Sequence, residues 1–296
     1  MAVILVSEMV TTKMTRSSPA SAKECQCDGR YARLCRGPAS TLTVLAVILV
    51  VAFGVIPAQA APPVPADAAP SARELLQAAI DQNRGENSYV EMTMVVHRPA
   101  WERTSRLKSW TRGREDALIR FVAPAKDAGN ATLKLGNKMW TFTPKLNRTI
   151  RLPYSMMSRS WGGSDFSYTD LSRSDNWLDD YELSVASTGE VDGHRHYTIN
   201  AIPNDDAAVV WGKEEIVLRD DHVIVSHTFF DQDMIALRRL KTLAIEDRDG
   251  RAIPTHQRME NLDGEDKFTE ILWGESDFDL DVPDRMFTLF HLKAGE

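Results

Sequence analysis

Cysteine is almost absent from this chain. Its three cysteines, Cys25, Cys27 and Cys35, all lie in the first 60 residues. Cys25 and Cys27 are one residue apart, which is not the spacing of the usual zinc-binding or redox pairs. Residues 61–296 therefore have no disulfide, no cysteine-ligated metal and no thiol nucleophile.

Long apolar runs are scarce as well. The longest, residues 42–56, has about 15 residues, whereas a membrane span needs roughly 20. It follows Arg30, Arg33 and Arg36 and precedes Ala-Gln-Ala at 58–60, the order found in an export signal. We expect cleavage after Ala60 and a periplasmic product that is not lipid-anchored, since no cysteine follows the cut. A retained N-terminal anchor is the alternative, and a mis-assigned start codon would explain the long segment before Arg30.

The motifs of common enzymes are missing too. The sequence has no Gly-x-Ser-x-Gly, no His-Glu-x-x-His and no P-loop, and the turn at Gly162 lacks the second glycine of a nucleophile elbow. His194 and His196 share one side of a strand, but no cysteine or carboxylate cluster lies near them in sequence. The acidic alternation at 277–284 lacks the glycine and glutamate of a calcium loop and is typical of an edge strand. We predict no enzyme, no catalytic residue, no metal and no cofactor.

Positive charge is in deficit. Residues 1–60 hold six of the 35 basic residues and three of the 42 acidic ones, so residues 61–296 carry 29 and 39, a formal net charge of −10. Such a balance argues against nucleic acid or an anionic membrane surface as the partner.

What remains divides into a leader and one domain. Residues 61–70 are rich in alanine and proline and are typical of a flexible leader. Ser71 and Glu74 have capping-box spacing, apolar residues then repeat at helical spacing, and Gly85 ends the predicted helix. We expect residues 71–296 to form a single domain, with no room for a second one at its end.

After the helix the apolar period changes from helical to two. Val90, Met92 and Met94 alternate with polar residues, and turn pairs such as Asp192-Gly193 separate further strand-like runs. The predicted strands include residues 117–122, 216–219, 223–230, 237–245 and 268–273. We predict a mainly β (α+β) fold, with one large antiparallel sheet of about ten or eleven strands that curls because of its size. Residues 161–171 interrupt the rhythm and predict a loop with one helical turn.

One stretch resembles a known family. Residues 140–144 read Trp-Thr-Phe-Thr-Pro, residues 148–151 read Arg-Thr-Ile-Arg, and residues 163–171 read Gly-Ser-Asp-Phe-Ser-Tyr-Thr-Asp-Leu. These segments resemble the signature of the outer membrane lipoprotein-sorting proteins, which are related to the periplasmic carrier LolA. The isolated arginines at 148 and 151 and the Trp-Gly-Gly at 161–163 depart from the usual family pattern.

The resemblance implies an incomplete β-barrel with an N-terminal helix and a lid loop or helix over its concave face. It also implies an apolar cavity for acyl chains, arginines that hold the lid, an inner-membrane exporter as donor and an outer-membrane acceptor. The function predicted is a periplasmic carrier of lipoprotein acyl chains or lipid. The alternative is a sensor or accessory protein of an inner-membrane exporter of the resistance-nodulation-division type, binding a protein instead of a lipid.

The candidate ligand residues are large apolar side chains, because methionine and aromatic surfaces repack around varied acyl chains. An apolar strand face is also what an ordinary core requires, so both interpretations stay open for each residue. The cavity and lid candidates are Met92, Met94, Trp110, Met139, Trp140, Phe142, Met156, Met157, Trp161, Phe166 and Tyr168. Arg148 and Arg151 are predicted to latch the lid or bind a headgroup, with a solvated strand face as the alternative.

Overall fold

A computed structural model describes residues 69–172, 177–248 and 250–294. The predicted export signal, the possible anchor and all three cysteines lie outside these residues. The described helices are α1 Ala72–Arg84, α2 Tyr168–Ser172, α3 Trp177–Asp180 and α4 Leu289–Ala294. None of the helices in these ranges combines the length and the apolar composition that crossing a membrane requires.

The N-terminal helix forms as its sequence predicts. The Ser71 hydroxyl accepts from the backbone N–H of Glu74, and Glu74 Oε2 accepts from the backbone N–H of Ser71 at 2.8 Å. These bonds satisfy two amide groups that the first helical turn leaves without partners. The helix ends at Gly85, whose φ of 61° favours glycine.

Within the described residues, thirteen strands form one antiparallel sheet that is not closed into a barrel. Its spatial order runs from β6 through β5, β4, β3, β2 and β1 to β13, and then through β12 down to β7. The strands are β1 Asn87–Arg98, β2 Trp101–Arg112, β3 Asp116–Ala123, β4 Ala131–Leu135, β5 Lys138–Thr143, β6 Arg148–Arg151, β7 Tyr181–Val191, β8 His194–Pro203, β9 Lys213–Arg219, β10 Ile224–Phe230, β11 Ala236–Arg248, β12 Arg251–Asn261 and β13 Phe268–Phe278.

The pleat divides the sheet into two faces, because successive side chains point to opposite sides. The inner face is the one on which Val96, Met259, Leu240 and Ile199 lie, as the strand registers show. Two apolar clusters cover this face. At the β7–β9 side α1 and α3 pack on it, and at the β1–β3 side residues 153–172, which we call the capping loop, cover it.

The outer face of β2–β5 is covered by the C-terminal segment. Val282, Phe287 and Leu292 pack there against Leu133 and Phe142. The guanidinium of Arg120 donates to the carbonyl oxygens of His291 and Leu292, which fixes α4 to the sheet.

Two sequence expectations need correction. The sheet has more strands than the ten or eleven predicted, because strands as short as β4 and β6 offer too few alternations to be recognised. The acidic segment 277–284 is not an edge strand. β13 ends at Phe278 between β1 and β12, and the chain then leaves the sheet so that Leu280 and Val282 pack on the outer face.

Candidate functional site

The inner face holds a large cavity between its two covering clusters. The cavity has a volume of about 1230 Å³. Its floor includes Val90, Met92, Leu107, Ile119 and Leu240, and its walls come from α1, the capping loop and the connection between β8 and β9. Compactly folded proteins leave few voids larger than a water molecule, so a volume of this size makes the inner face the candidate binding site.

The capping loop is fixed to the sheet through Asp165. The carboxylate accepts two hydrogen bonds from the guanidinium of Arg98, each 3.0 Å long. It also accepts from the hydroxyl of Thr269 at 2.6 Å and from the amide of Asn261 at 3.2 Å. The Asp165 side chain is only 7% exposed, so burial strengthens each of these contacts.

A second carboxylate of the loop pairs with β11. Asp170 accepts from the guanidinium of Arg238 at 2.9 Å, and both side chains are largely buried. The same carboxylate accepts from the backbone N–H of Ser167 at 2.7 Å, while the Ser167 hydroxyl accepts from the backbone N–H of Asp170. This reciprocal cap begins α2 and aims Asp170 at the sheet.

The loop enters its buried section at Trp161. The indole N–H donates to the hydroxyl of Thr132 at 3.1 Å, and the ring packs against Phe121. Gly162 and Gly163 follow with φ of 59° and 71°. A Cβ on Gly162 would lie 2.9 Å from Phe121, and the Gly162 carbonyl accepts from the guanidinium of Arg103. The two glycines thus let the backbone turn where it touches the sheet.

A buried polar group lies at the other side of the cavity. Glu214 on β9 is 4% exposed and accepts from the indole N–H of Trp177 at 2.7 Å, the Nε2 of His227 at 2.7 Å and the hydroxyl of Tyr181. Burial raises the pKa of Glu214, but the hydrogen bond and charge of His227, with the other two donors, outweigh burial and hold the pKa below its ordinary value. All four side chains line the cavity.

His194 has carboxylate neighbours that its sequence position does not reveal. Its Nδ1 lies 2.8 Å from Asp220, and the ligand atoms of His194, Asp220 and Asp221 lie within 4.8 Å of one another. Asp220 also accepts from the backbone N–H of Arg195, and Asp221 pairs with Arg219. These exposed or half-exposed carboxylates are therefore already engaged by the chain itself.

Comparison with protein-family models identifies the family of this chain. A family model with the description "-like: Uncharacterized protein" matches residues 113–294, more than half of the chain. The chain belongs to this family, and its fold is LolA-like. Solved structures of the same architecture support this fold assignment.

A DUF1329 family protein from Desulfovibrio piger has a TM-score of 0.68 and 22% identity, with 75% of this chain and 97% of that chain covered. An outer membrane lipoprotein-sorting protein domain from Vibrio parahaemolyticus has a TM-score of 0.66 and 21% identity, with 75% and 98% covered. A LolA superfamily protein from Nitrosomonas europaea has a TM-score of 0.64 and 20% identity, with 75% and 100% covered. The comparison with curated proteins gives no match. The predicted resemblance is confirmed at the level of fold.

The inner-face cavity brings together about half of the predicted ligand residues. Met92 and Met139 line it from the sheet, and Met157, Trp161 and Phe166 line it from the capping loop. Each of these side chains combines a flexible or aromatic surface with a place on the cavity wall. Their contact with a ligand stays a prediction.

The remaining candidates lie elsewhere in the LolA-like fold. Trp110, Trp140 and Phe142 pack on the outer face against the C-terminal segment. Met94 is fully buried in the same cluster as Trp161, and Tyr168 packs against that cluster, where burial raises its pKa. Met156 is half-buried and does not line the cavity. An outer-face cluster was invisible in sequence because nothing there showed that the C-terminal segment folds back.

The arginines that hold the capping loop differ from those predicted. Arg98, Arg103 and Arg238 bond the loop, whereas Arg148 and Arg151 are exposed on the edge strand β6. Arg151 belongs to the cavity rim and Arg148 does not. A latch role for these two has no contact to support it in the described ranges, and a headgroup role stays a prediction.

Sequence reasoning also missed Glu214, Asp165 and Asp170. A signal for Glu214 exists, because it has the same strand parity as the apolar Ile216 and Leu218 and must therefore point inward. The two aspartates lie in the family-like motif, but their arginine partners are 67 and 68 residues away in sequence.

Proposed function

We propose that this protein is a periplasmic carrier that binds the acyl chains of a lipoprotein or lipid in its inner-face cavity and moves them toward the outer membrane. The observation that carries the proposal is the cavity of about 1230 Å³ between sheet and capping loop. This volume exceeds the roughly 300–1,000 Å³ typical of small-molecule sites. An extended apolar ligand suits it better than a compact polar metabolite.

The physical chemistry of the lining supports an acyl chain. Each methylene transferred from water to an apolar surface contributes about 0.8 kcal/mol, so a 14-carbon chain gains on the order of 10 kcal/mol before losses of freedom. Met92, Met139 and Met157 supply thioether side chains that adjust to different chains. No covalent step is needed: the loop opens, the chain enters or leaves, and the loop closes.

The route of the ligand follows from the export signal predicted at residues 1–60. After cleavage, residues 71–296 would act between the two membranes, receiving the ligand from an inner-membrane exporter and passing it to an outer-membrane acceptor. The names of the sorting-protein and LolA-superfamily neighbours, whose folds this chain has, agree with such a route.

The decisive experiment identifies what the protein carries. The full chain is expressed in a Gram-negative host, purified from the periplasm without detergent, and measured by native mass spectrometry followed by lipid extraction. We expect a discrete additional mass that extraction identifies as a lipid or acylated peptide. An apo mass together with no uptake of a fluorescent fatty acid would contradict the carrier proposal and favour the exporter-accessory alternative.

Two variants localise the binding. Leu240 lines the cavity, while Leu243 on the same strand is exposed and does not. Leu240→Trp fills part of the cavity and should reduce fatty-acid uptake at least ten-fold. Leu243→Trp adds the same ring outside the cavity and should leave uptake unchanged. Equal uptake by both variants would place the ligand elsewhere.

A further inference from the structure

One edge of the sheet carries lysines and arginines with no acidic residue among them in sequence. Residues 138–159 contain five lysines and arginines and no aspartate or glutamate, in a chain with a formal net charge of −7. We call this segment the basic rim. It comprises β5, β6 and the turns around them, and β6 is the last strand at that edge of the sheet.

All five cations of the basic rim are exposed to solvent. They are Lys138, Lys145, Arg148, Arg151 and Arg159. In the part of the chain that the structure describes, none of their side chains forms an ion pair or hydrogen bond. Because alternate residues of a strand face opposite sides, Arg148 and Arg151 place charge on both faces of the edge.

Several arginines elsewhere in the fold are paired with carboxylates instead. Arg98, Arg238 and Arg258 each pair with a carboxylate at 3.0 Å or less. A chain with an excess of acidic residues can neutralise most of its arginines internally. The unpaired charges of the basic rim are therefore available to a partner of opposite sign.

Exposed apolar side chains are interleaved with these cations. Leu146 is 70% exposed, Tyr154 is 67% exposed and Ile150 lies between them on β6. Aromatic and aliphatic side chains alternating with arginine and lysine suit the boundary between headgroups and acyl chains of a bilayer.

The basic rim is continuous with the mouth of the cavity. Arg151, Leu152, Pro153 and Tyr154 belong both to the rim and to the residues that line the cavity. A lipid surface that touches this edge is therefore next to the space into which an acyl chain would pass. The placement links a headgroup contact to the ligand site without any movement of the sheet.

We propose that the basic rim docks the protein onto an anionic lipid surface. The biological purpose of this docking rests on the proposed carrier function. The net charge of the whole chain argues against such a partner, but charges separated by more than a Debye length of about 8 Å are largely screened. The local charge of the edge decides the contact. Each lysine or arginine held near an anionic leaflet strengthens binding about five-fold.

Vesicle sedimentation tests the docking surface. The full-length export product is mixed with vesicles of phosphatidylglycerol and phosphatidylethanolamine, or of phosphatidylcholine alone. We expect binding to the anionic vesicles only. This binding should weaken as salt is raised from 50 to 500 mM, because salt screens the charges. Arg148→Gln combined with Arg151→Gln should weaken the binding roughly 25-fold, following the five-fold contribution of each cation.

A matched pair of substitutions controls for net charge. Arg195 and Arg285 are exposed cations outside the basic rim, and replacing both by glutamine changes the net charge equally. This control should bind within about two-fold of the parent protein, and circular dichroism should show both double variants folded. Equal weakening in the two double variants, or no binding to anionic vesicles, would overturn the proposal.

A separate readout distinguishes this proposal from the carrier function. Uptake of a fluorescent fatty acid is measured for the same variants in the absence of vesicles. Normal uptake with no vesicle binding refutes the docking surface and leaves the carrier intact. Vesicle binding that depends on Arg148 and Arg151, without any uptake, supports the docking surface and refutes the carrier.

Discussion

The attachment of the capping loop can be tested at Asp165. Replacing it with asparagine keeps the size of the side chain but removes the charge that faces Arg98, whose side chain is 18% exposed. Removing one partner of a largely buried ion pair costs about 3–5 kcal/mol, because the remaining charge stays buried without compensation. Thr269 and Asn261, which also donate to this carboxylate, lose a strong acceptor at the same time.

The lost free energy should make the capping loop open more easily. About 3 kcal/mol corresponds to a change of roughly 100-fold in the opening equilibrium. Loop amides such as those of Trp161 and Tyr168, which donate to Phe166 and Arg159, should then exchange with deuterium about 100-fold faster. Hydrogen-exchange mass spectrometry of peptides from residues 157–169 measures this directly.

The same hydrogen-exchange measurement on a control variant tests whether the effect is specific to Asp165. Asp266→Asn removes an exposed carboxylate that contacts His97, and it should change loop exchange less than about two-fold. If Asp165→Asn leaves the loop within two-fold of the parent protein, the ion pair does not hold the loop. If exchange rises equally in α1, the pair stabilises the whole domain and has no specific effect on the loop.

Two further predictions concern backbone strain and a buried charge. Gly162→Ala should destabilise the protein by about 2–4 kcal/mol, because the positive φ costs roughly 1–2 kcal/mol and overpacking against Phe121 adds more. Gly264 has a positive φ but open space around it, so in thermal melts Gly264→Ala should show only the conformational cost of roughly 1–2 kcal/mol. Glu214→Gln should lower the free energy of unfolding by about 2–3 kcal/mol at pH 7. Because the folded pKa of Glu214 lies below its ordinary 4.5, its charge stabilises the protein above that pH, and this contribution is lost as pH falls through the lowered value. In urea unfolding, the parent protein and Glu214→Gln should therefore differ less in free energy of unfolding at pH 3.5 than at pH 7. An equal difference at both pH values would contradict a stabilising charge on Glu214. His227→Gln should also make the free energy of unfolding depend less on pH over this range.

The large features of the fold could be predicted from local patterns. The cap at Ser71 and the stop at Gly85 depend on neighbours in sequence, so α1 was predicted to within a residue. The strands with strong alternation, such as β1, were found for the same reason. Short strands and the C-terminal segment were not, because their positions are set by contacts with distant parts of the chain.

The candidate site shows the same division. Met92 and Trp161 could be proposed from residue type and context, and both line the cavity. The partners of Asp165 and Asp170 could not be assigned, because the sequence contains many arginines and only the sheet register selects Arg98 and Arg238. The basic rim is one acid-free segment of the sequence, but its place at the edge of the sheet, beside the cavity, required the fold.

The open sheet has a mechanical consequence. Strands β6 and β7 end the sheet without pairing to each other, and the hydroxyl of Tyr154 donates to the carbonyl oxygen of Ala208 at 3.1 Å across the space near these two ends. Spreading the ends apart would break that hydrogen bond but none between neighbouring strands. The strand ladder and the gap between its two ends are thus separate parts of the structure, so a change in the width of the gap would leave the hydrogen bonds between strands intact.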